Sequence, residues 1–383
     1  MSNIKKKILD ISTIGITDLI SSGIAAIFWL YIASELGPES YGEITFLVSI
    51  ATIISGIALF GSNNTILVLA AKKIDIQSTI YLVTIIANII GSVIIFILFV
   101  NIGISLLVIA YAIFPLVTFD LLARKLYRGY SKYIIIQKVL LVTCGIGLYY
   151  LIGENGILIG IALSHSHFII HILKTFKRSK INFGLLKEKK IFVLNNFALS
   201  ISGTFSGSLD KLIIAPLLGF IILGNYSLGI QFFAILELLP AVCVKYLVTQ
   251  DISGIPNKML KKIMVLVSIG IAFLGSTIGP GVLSYIFPKF IEAENVIQIM
   301  SWAIIPITIQ SAYHFPKFWA QEQNKMIIYS AITTITIQIS GILILGSIYG
   351  IMGIAISFVL GSIGGLITST ILNKIVSKQV EEQ

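Results

Sequence analysis

The sequence predicts an all-α polytopic membrane protein: 12 transmembrane helices in two six-helix bundles, arranged as parallel repeats about a pseudo-two-fold axis with a central cleft. Three observations carry the twelve membrane helices, and the internal repeat and the motifs set out below carry their division into two halves about a cleft. The 383 residues are 56% hydrophobic and 11% charged, with a mean hydropathy of +0.98, whereas a soluble protein needs far more polar surface. Apolar runs of roughly 20 residues, the length that crosses a ~30 Å hydrocarbon core as a helix, recur along the whole chain. Lys and Arg gather in every second loop, as cytoplasmic loops do.

The runs are 11–33, 44–66, 78–99, 102–123, 134–152, 155–173, 192–217, 226–248, 263–286, 295–315, 326–347 and 350–372. Of the 27 Lys and Arg, 25 fall at the termini or after an even-numbered run, five of them after the fourth and seven after the sixth. Only Lys289 lies in an opposite-side loop, and Lys211 lies in or near a span. Both termini are therefore expected in the cytoplasm. The expected domains are an N-terminal bundle 1–176, a basic cytoplasmic linker 177–191 and a C-terminal bundle 192–383.

The first run exceeds a signal-peptide core and lacks a small-x-small cleavage site, so it reads as a retained span. The net charge of +10 is topological and does not point to nucleic acid. Cys144 and Cys243 fall inside predicted spans and read as core residues. The outward loops are very short, with Asn101 nearly alone, Gly153–Glu154 and Tyr349, and only Phe287 to Glu294 of moderate length. An enzyme that builds polymers at the outer face needs more material there. Nor is there a Walker-type phosphate loop or a nucleophile-and-base constellation.

A repeat divides the chain. In Leu36-Gly37-Pro38-Glu39-Ser40-Tyr41-Gly42, a glycine that ends one helix precedes a proline and a glutamate that suit the start of the next. Leu218-Gly219 followed by Gly224 repeats the spacing at an offset of 182 residues. The spans before the two turns are both rich in small polar residues. The first holds Ser12, Thr13, Gly15, Thr17, Ser21, Ser22 and Gly23; the seventh holds Ser200, Ser202, Gly203, Thr204, Ser206, Gly207 and Ser208. Either Gly203-x3-Gly207 marks a tight packing face, or these helices line a polar cleft between the halves.

With these motifs in hand, the chain resembles the polysaccharide exporters and O-antigen flippases of the multidrug/oligosaccharidyl-lipid/polysaccharide (MOP) flippase superfamily. The segment Ala33 to Gly42 is similar to the family's turn after span 1, and Leu59-Phe60-Gly61-Ser62-Asn63-Asn64 to its Gly-containing end of span 2. Ser208-Leu209-Asp210-Lys211-Leu212-Ile213 resembles its span-7 motif, Leu218-Gly219 to Gly224-Asn225-Tyr226 the turn that follows, and Ile286-Phe287-Pro288-Lys289-Phe290 the segment before span 10. The resemblance implies a transporter, not an enzyme. It would flip a polyprenyl-diphosphate-linked oligosaccharide, an O-antigen or other surface polysaccharide unit, across the prokaryotic cytoplasmic membrane by alternating access. Spans 1, 2, 7 and 8 would line the cleft. Its partners would be the lipid-linked glycan, membrane lipids and polysaccharide assembly proteins. No cofactor is implied; coupling would be to protons, cations or the membrane potential. Two alternatives stand, a cation-coupled small-molecule exporter of the same fold and a membrane glycan polymerase or ligase. The chain departs from the family in its weakly charged interior, where Lys211 is the main cation.

Ionisable groups at membrane depth are costly, so each has a functional and a structural reading. Asp18, a third of the way across span 1, receives a proton or cation or steers a basic partner, or else is a packing residue. Asp210 and Lys211 are adjacent, so on a helix they diverge by roughly 100° and each needs its own partner. Lys211 holds a diphosphate as a point charge, or snorkels at the outer interface. Glu237, three residues before Pro240, couples an ion or proton, or stabilises a kink. Asn63 and Asn64 meet sugar or cap the inner end of span 2. Asp120 and Arg124, spaced i, i+4, read as an interfacial salt bridge. His165, His167 and His171 read as interfacial polar residues, not metal ligands.

Overall fold

The computed structural model describes residues 2–252, 257–321 and 323–381. Side chains at both termini, along much of 239–250 and at a few positions elsewhere fall outside that description, among them Ser12, Ser202, Ser206 and Cys243. The described residues form helices joined by short turns: α1 (Ser2–Leu36), α2 (Pro38–Ala58), α3 (Ser62–Ala71), α4 (Gln77–Phe99), α5 (Ile102–Ala123), α6 (Tyr127–Ile152), α7 (Glu154–Leu163), α8 (Ile169–Arg178), α9 (Phe183–Glu188) and α10 (Lys190–Ser206). There follow α11 (Leu209–Leu218), α12 (Phe220–Ile252), α13 (Lys258–Thr277), α14 (Gly279–Ile286), α15 (Ala293–Met300), α16 (Ile304–Ile309), α17 (Phe315–Ala320), α18 (Asn324–Gly341) and α19 (Ser347–Glu381).

Among the described residues ten helical stretches are long and apolar enough to cross a membrane. One of them, Lys325–Ile375, is 51 residues long and turns back at Gly350, whose φ is +57°, so it holds two spans. The predicted seventh span is the remaining one, broken into α10 and α11. The fold is thus the expected twelve-span helical one. Helix α4 shows what the spans meet outside: Ile86, Ile90, Val93 and Ile97 form an exposed apolar stripe at helical spacing, a face suited to lipid.

The structure corrects several boundaries. Span 2 starts at Pro38 and breaks after Ala58, where Phe60 (φ +48°) and Gly61 (φ +70°) are left-handed, and restarts as α3. Gly61 is required there, because a Cβ would sit 2.3 Å from the Phe197 amide nitrogen of α10. Span 7 is not one helix either; it stops at Ser206 in a run of Gly and Ser, poor helix formers, and α11 restarts with Asp210 in its first turn, where a carboxylate complements the helix dipole. The basic linker is largely helical, contributing the end of α8 and all of α9.

The chain forms two compact units, Met1–Trp29 with Phe46–Ser208, and Leu30–Thr45 with Leu209–Gln383. The first has a core in which Leu69, Ile76, Tyr81, Leu116 and Phe168 are buried together. At one end of it, Asp120 is fully buried and pairs with Arg124 (2.8 Å), as expected, and also with His171 Nε2 (2.9 Å) and Arg178 (3.7 Å).

The second unit contains both copies of the repeated turn. Gly37 (φ +80°) and Gly219 (φ +86°) end α1 and α11 alike. A Cβ on Gly42 would lie 2.0 Å from the Phe220 carbonyl oxygen, and one on Gly224 would lie 1.8 Å from that of Pro38. The hydroxyls of Thr45 and Ser227, themselves 182 positions apart, hydrogen-bond at 3.1 Å. Residue i touches the equivalent of j while j touches the equivalent of i, which is the contact a two-fold axis produces. The segment 286–290 packs alongside, burying Phe287 and Phe290, with Tyr41 edge-to-face on Phe290.

Candidate functional site

In the first unit a cavity of ≈ 380 Å³ lies among α1, α2, α5, α6, α7 and α10, within the size range of small-ligand pockets. Its chemistry is mixed. Trp29, Tyr111 and Phe114 give it aromatic walls, and Thr52, Ser55, Thr204, Gln137, Lys138 and His165 give it polar ones.

Three of these six polar residues are committed to the protein. Thr52 donates to the Val48 carbonyl (2.8 Å) and Thr204 to that of Ser200 (3.0 Å). His165 Nδ1 donates to the Ile161 carbonyl (2.9 Å), which leaves Nε2 as an acceptor. Three groups are not committed. Ser55 Oγ, on a residue 1% exposed, and Gln137 Oε1, on a residue 2% exposed, are buried without a hydrogen-bond partner. The Lys138 ammonium, in the same wall, has no acceptor or counter-charge among the described residues. Buried polar groups are normally satisfied; the Ser55 Oγ and Gln137 Oε1 atoms are covered by protein, so the group in this wall that an anion would complete is the Lys138 ammonium.

Sequence reasoning missed Lys138. It counts among the five cations after span 4, but it sits inside α6, in the twelfth position of a 26-residue helix. The signal is present in the sequence, because the fifth apolar run begins at residue 134 and so contains Lys138.

The predicted site residues are dispersed. Asp18 is half-buried in α1, and its Oδ1 accepts from the Tyr130 hydroxyl (2.9 Å), while the neighbouring Thr17 hydroxyl bonds Ser131 (2.7 Å). Asn63 and Asn64 do not cap the end of a helix: they lie in the first turn of α3, just past the break, and Asn63 Oδ1 is buried without a partner. Glu237 is half-buried in α12, which runs through Pro240, and has no partner among the described residues.

Asp210 and Lys211 depart most from expectation. They do not diverge. Because α11 begins at Leu209, Asp210 folds over the helix start: Oδ1 accepts from the Lys211 amide (2.8 Å), and the Lys211 ammonium is 3.5 Å from the same oxygen. Tyr226 completes the group, donating to Oδ2 at 2.6 Å. Asp210 lies nine residues before Gly219, roughly 13 Å along the helix from the turn.

The small-residue stripes are also resolved. Nothing lies within 4 Å of a Cβ built on Gly15, Gly23, Gly203 or Gly207. Gly203-x3-Gly207 is therefore not a packing face among the described residues, and the glycines of both stripes face open space. Within this stripe α10 packs through Thr204 on Gly56, where a Cβ would meet the threonine side chain at 2.5 Å.

The histidines bind protein groups. His167 Nε2 donates to the Tyr133 carbonyl (2.9 Å) and His171 meets Asp120. The Asp120 carboxylate, distant in sequence, is the partner that sequence spacing did not supply. Among the described residues no group of three or more His, Cys, Asp or Glu is placed to hold a metal ion.

Solved structures share this architecture. The chain superposes on a lipid II flippase MurJ in an inward closed conformation with a TM-score of 0.74 at 14% identity, covering 94% of this chain and 87% of that one. The fold is that of the MOP transporters. An inward-facing multidrug resistance MATE family transporter of the MOP superfamily gives a TM-score of 0.70 at 12% identity, covering 95% of this chain and 96% of that one. A MOP superfamily transporter from Pyrococcus furiosus, described as having a binding pocket of reverse polarity, gives 0.63 at 12% identity, covering 98% of this chain and 96% of that one. Neither a protein-family model nor a curated protein sequence matches the chain.

Proposed function

We propose that this protein is a flippase that moves a polyprenyl-diphosphate-linked oligosaccharide from the inner to the outer leaflet of a prokaryotic cytoplasmic membrane by alternating access. The observation that carries the reading is the cavity with its open cation. Lys138 would meet a phosphate oxygen as a point charge, and the rings of Trp29, Tyr111 and Phe114 would pack on sugar faces. No covalent step is involved, and neither enzyme chemistry nor a cofactor is invoked. The Lys211 role in diphosphate binding is set aside, since Asp210 already holds that ammonium. One solved structure of the same fold is a lipid II flippase, which supports a lipid-linked cargo by analogy only.

A second reading, a cation-coupled small-molecule exporter, draws on the carboxylates of Asp18 and Glu237, both half-buried in spans, and on the MATE fold. The two readings separate in cells. Deleting the gene should leave lipid-linked oligosaccharide on the inner leaflet if the protein is a flippase. Normal outer-leaflet delivery together with hypersensitivity to cationic drugs would instead select the exporter.

A further inference from the structure

A second hollow in the first unit lies at the end where the basic linker begins. It is a groove of ≈ 400 Å³ lined by Phe60, Ile80, Val83, Leu186, Val193 and Phe197, with Ser62, Thr84, Leu194 and Lys190 completing it. Its construction follows from the break in span 2. The left-handed Phe60 and Gly61 turn α3 away from α2, Gly61 admits the α10 backbone, and Phe60 stacks at a tilt on Phe197 (5.5 Å) to close one end. Helix α9 forms the opposite wall. It is held to the start of α4 by Asn182, whose amide donates to Thr79 Oγ1 (2.8 Å) and whose side chain caps α9.

The groove is apolar almost throughout. Its two hydroxyls, Ser62 and Thr84, bond each other at 2.8 Å and present nothing to an occupant. The one charged lining group is Lys190, exposed, without an ion pair among the described residues, at the end of a stretch with seven cations between Lys174 and Lys190. An engineered apolar cavity of about 150 Å³ holds a benzene ring, so this groove has room for on the order of fifteen chain carbons. An apolar channel with a cation at its mouth, beside a basic rim, is complementary to an anionic lipid and not to a zwitterionic one.

We propose that the groove seats one hydrocarbon chain of an anionic phospholipid from the inner leaflet, with its phosphate held by Lys190. The lipid would fill the wedge opened by the span-2 break and brace α3 against α10. This is independent of the cargo, which the proposed function places in the other cavity. The groove commits to bulk phospholipid because the charge that recognises it belongs to the membrane-surface linker.

The test is native mass spectrometry of the full-length protein released from nanodiscs of equal phosphatidylglycerol and phosphatidylcholine. The wild type should retain one phosphatidylglycerol about fivefold over phosphatidylcholine. Lys190→Gln should abolish that preference, whereas Lys180→Gln, an exposed cation of the same linker outside the groove, should leave it intact. Val193→Trp, which fills the groove, should lose the retained lipid of either class. Leu194→Asn, at an exposed rim position, should weaken retention of both and covers the case in which the tryptophan variant does not fold. Equal retention of the two lipids by wild type, or equal loss in Lys180→Gln and Lys190→Gln, would overturn the proposal. Displacement of the phosphatidylglycerol by trace polyprenyl phosphate would overturn it as well, by assigning the groove to an isoprenoid tail.

Discussion

Two lysines sit inside apolar helices, and their surroundings treat them oppositely. In the second unit Lys211 ends 3.5 Å from Asp210, which also takes the Tyr226 hydroxyl. In the first unit Lys138 ends in a cavity beside Ser55 Oγ and Gln137 Oε1, two buried atoms with no partner. The difference lies in completeness. A closed carboxylate–lysine–tyrosine group stabilises the chain that contains it, whereas an open set costs stability and is retained where a ligand completes it.

The largest expected effect is on the closed group. Asp210→Ala removes the counter-charge of Lys211 and the acceptor of Tyr226 together, and breaking a buried pair from one side costs about 3–5 kcal/mol. A large fall in the unfolding midpoint of the purified protein in detergent is predicted, whereas Ser55→Ala, which removes an atom that already lacks a partner, should shift it by no more than about 0.5 kcal/mol. Equal effects at the two positions would erase the contrast.

Next comes Lys138. Losing a charge-assisted contact of about 1.5–3 kcal/mol predicts a ten- to hundredfold drop in glycan export for Lys138→Met. The same variant should be as stable as the wild type or more so, by about 1 kcal/mol, because an uncompensated cation leaves a low-dielectric wall. Lys211→Met should behave in reverse, with stability reduced and export per folded molecule retained. Parallel losses of stability and export in both variants would mean that Lys138 is structural.

The repeated turn offers an intermediate effect. Gly224→Ala drives a methyl into the Pro38 carbonyl and Gly42→Ala drives one into that of Phe220, so each should destabilise the protein by about 1–3 kcal/mol. Because the two contacts face one another, the double variant should cost less than the sum of the two; simple additivity in thermal unfolding would show that the turns do not relax together.

The smallest effect concerns Glu237. If it couples transport to an ion or proton, Glu237→Gln should leave folding unchanged but flatten the pH and ion dependence of transport. A variant with the wild-type dependence would remove Glu237 from coupling.

How much of this was legible depended on whether a feature is local. Span number and the turn at Gly37 rest on composition and on single-residue conformational preference, and both appear as expected. So does the repeat at Gly219, whose partner contact explains why Gly42 and Gly224 recur: each leaves room for the other copy's backbone. The pairing of Asp210 with Lys211 was not legible, because it depends on a helix break that hydropathy smooths over. The same holds for Asp120 and His171, 51 positions apart. Lys138 was readable in principle; its side chain points into a cavity made by six helices, and no pattern along α6 reveals that.

The most direct test of the open-cavity account is a flipping assay in reconstituted vesicles with a fluorescent polyprenyl-diphosphate oligosaccharide, comparing wild type, Lys138→Met and Lys211→Met at equal folded protein. The account predicts translocation by wild type and Lys211→Met and its loss in Lys138→Met. Translocation by Lys138→Met at the wild-type rate would contradict it.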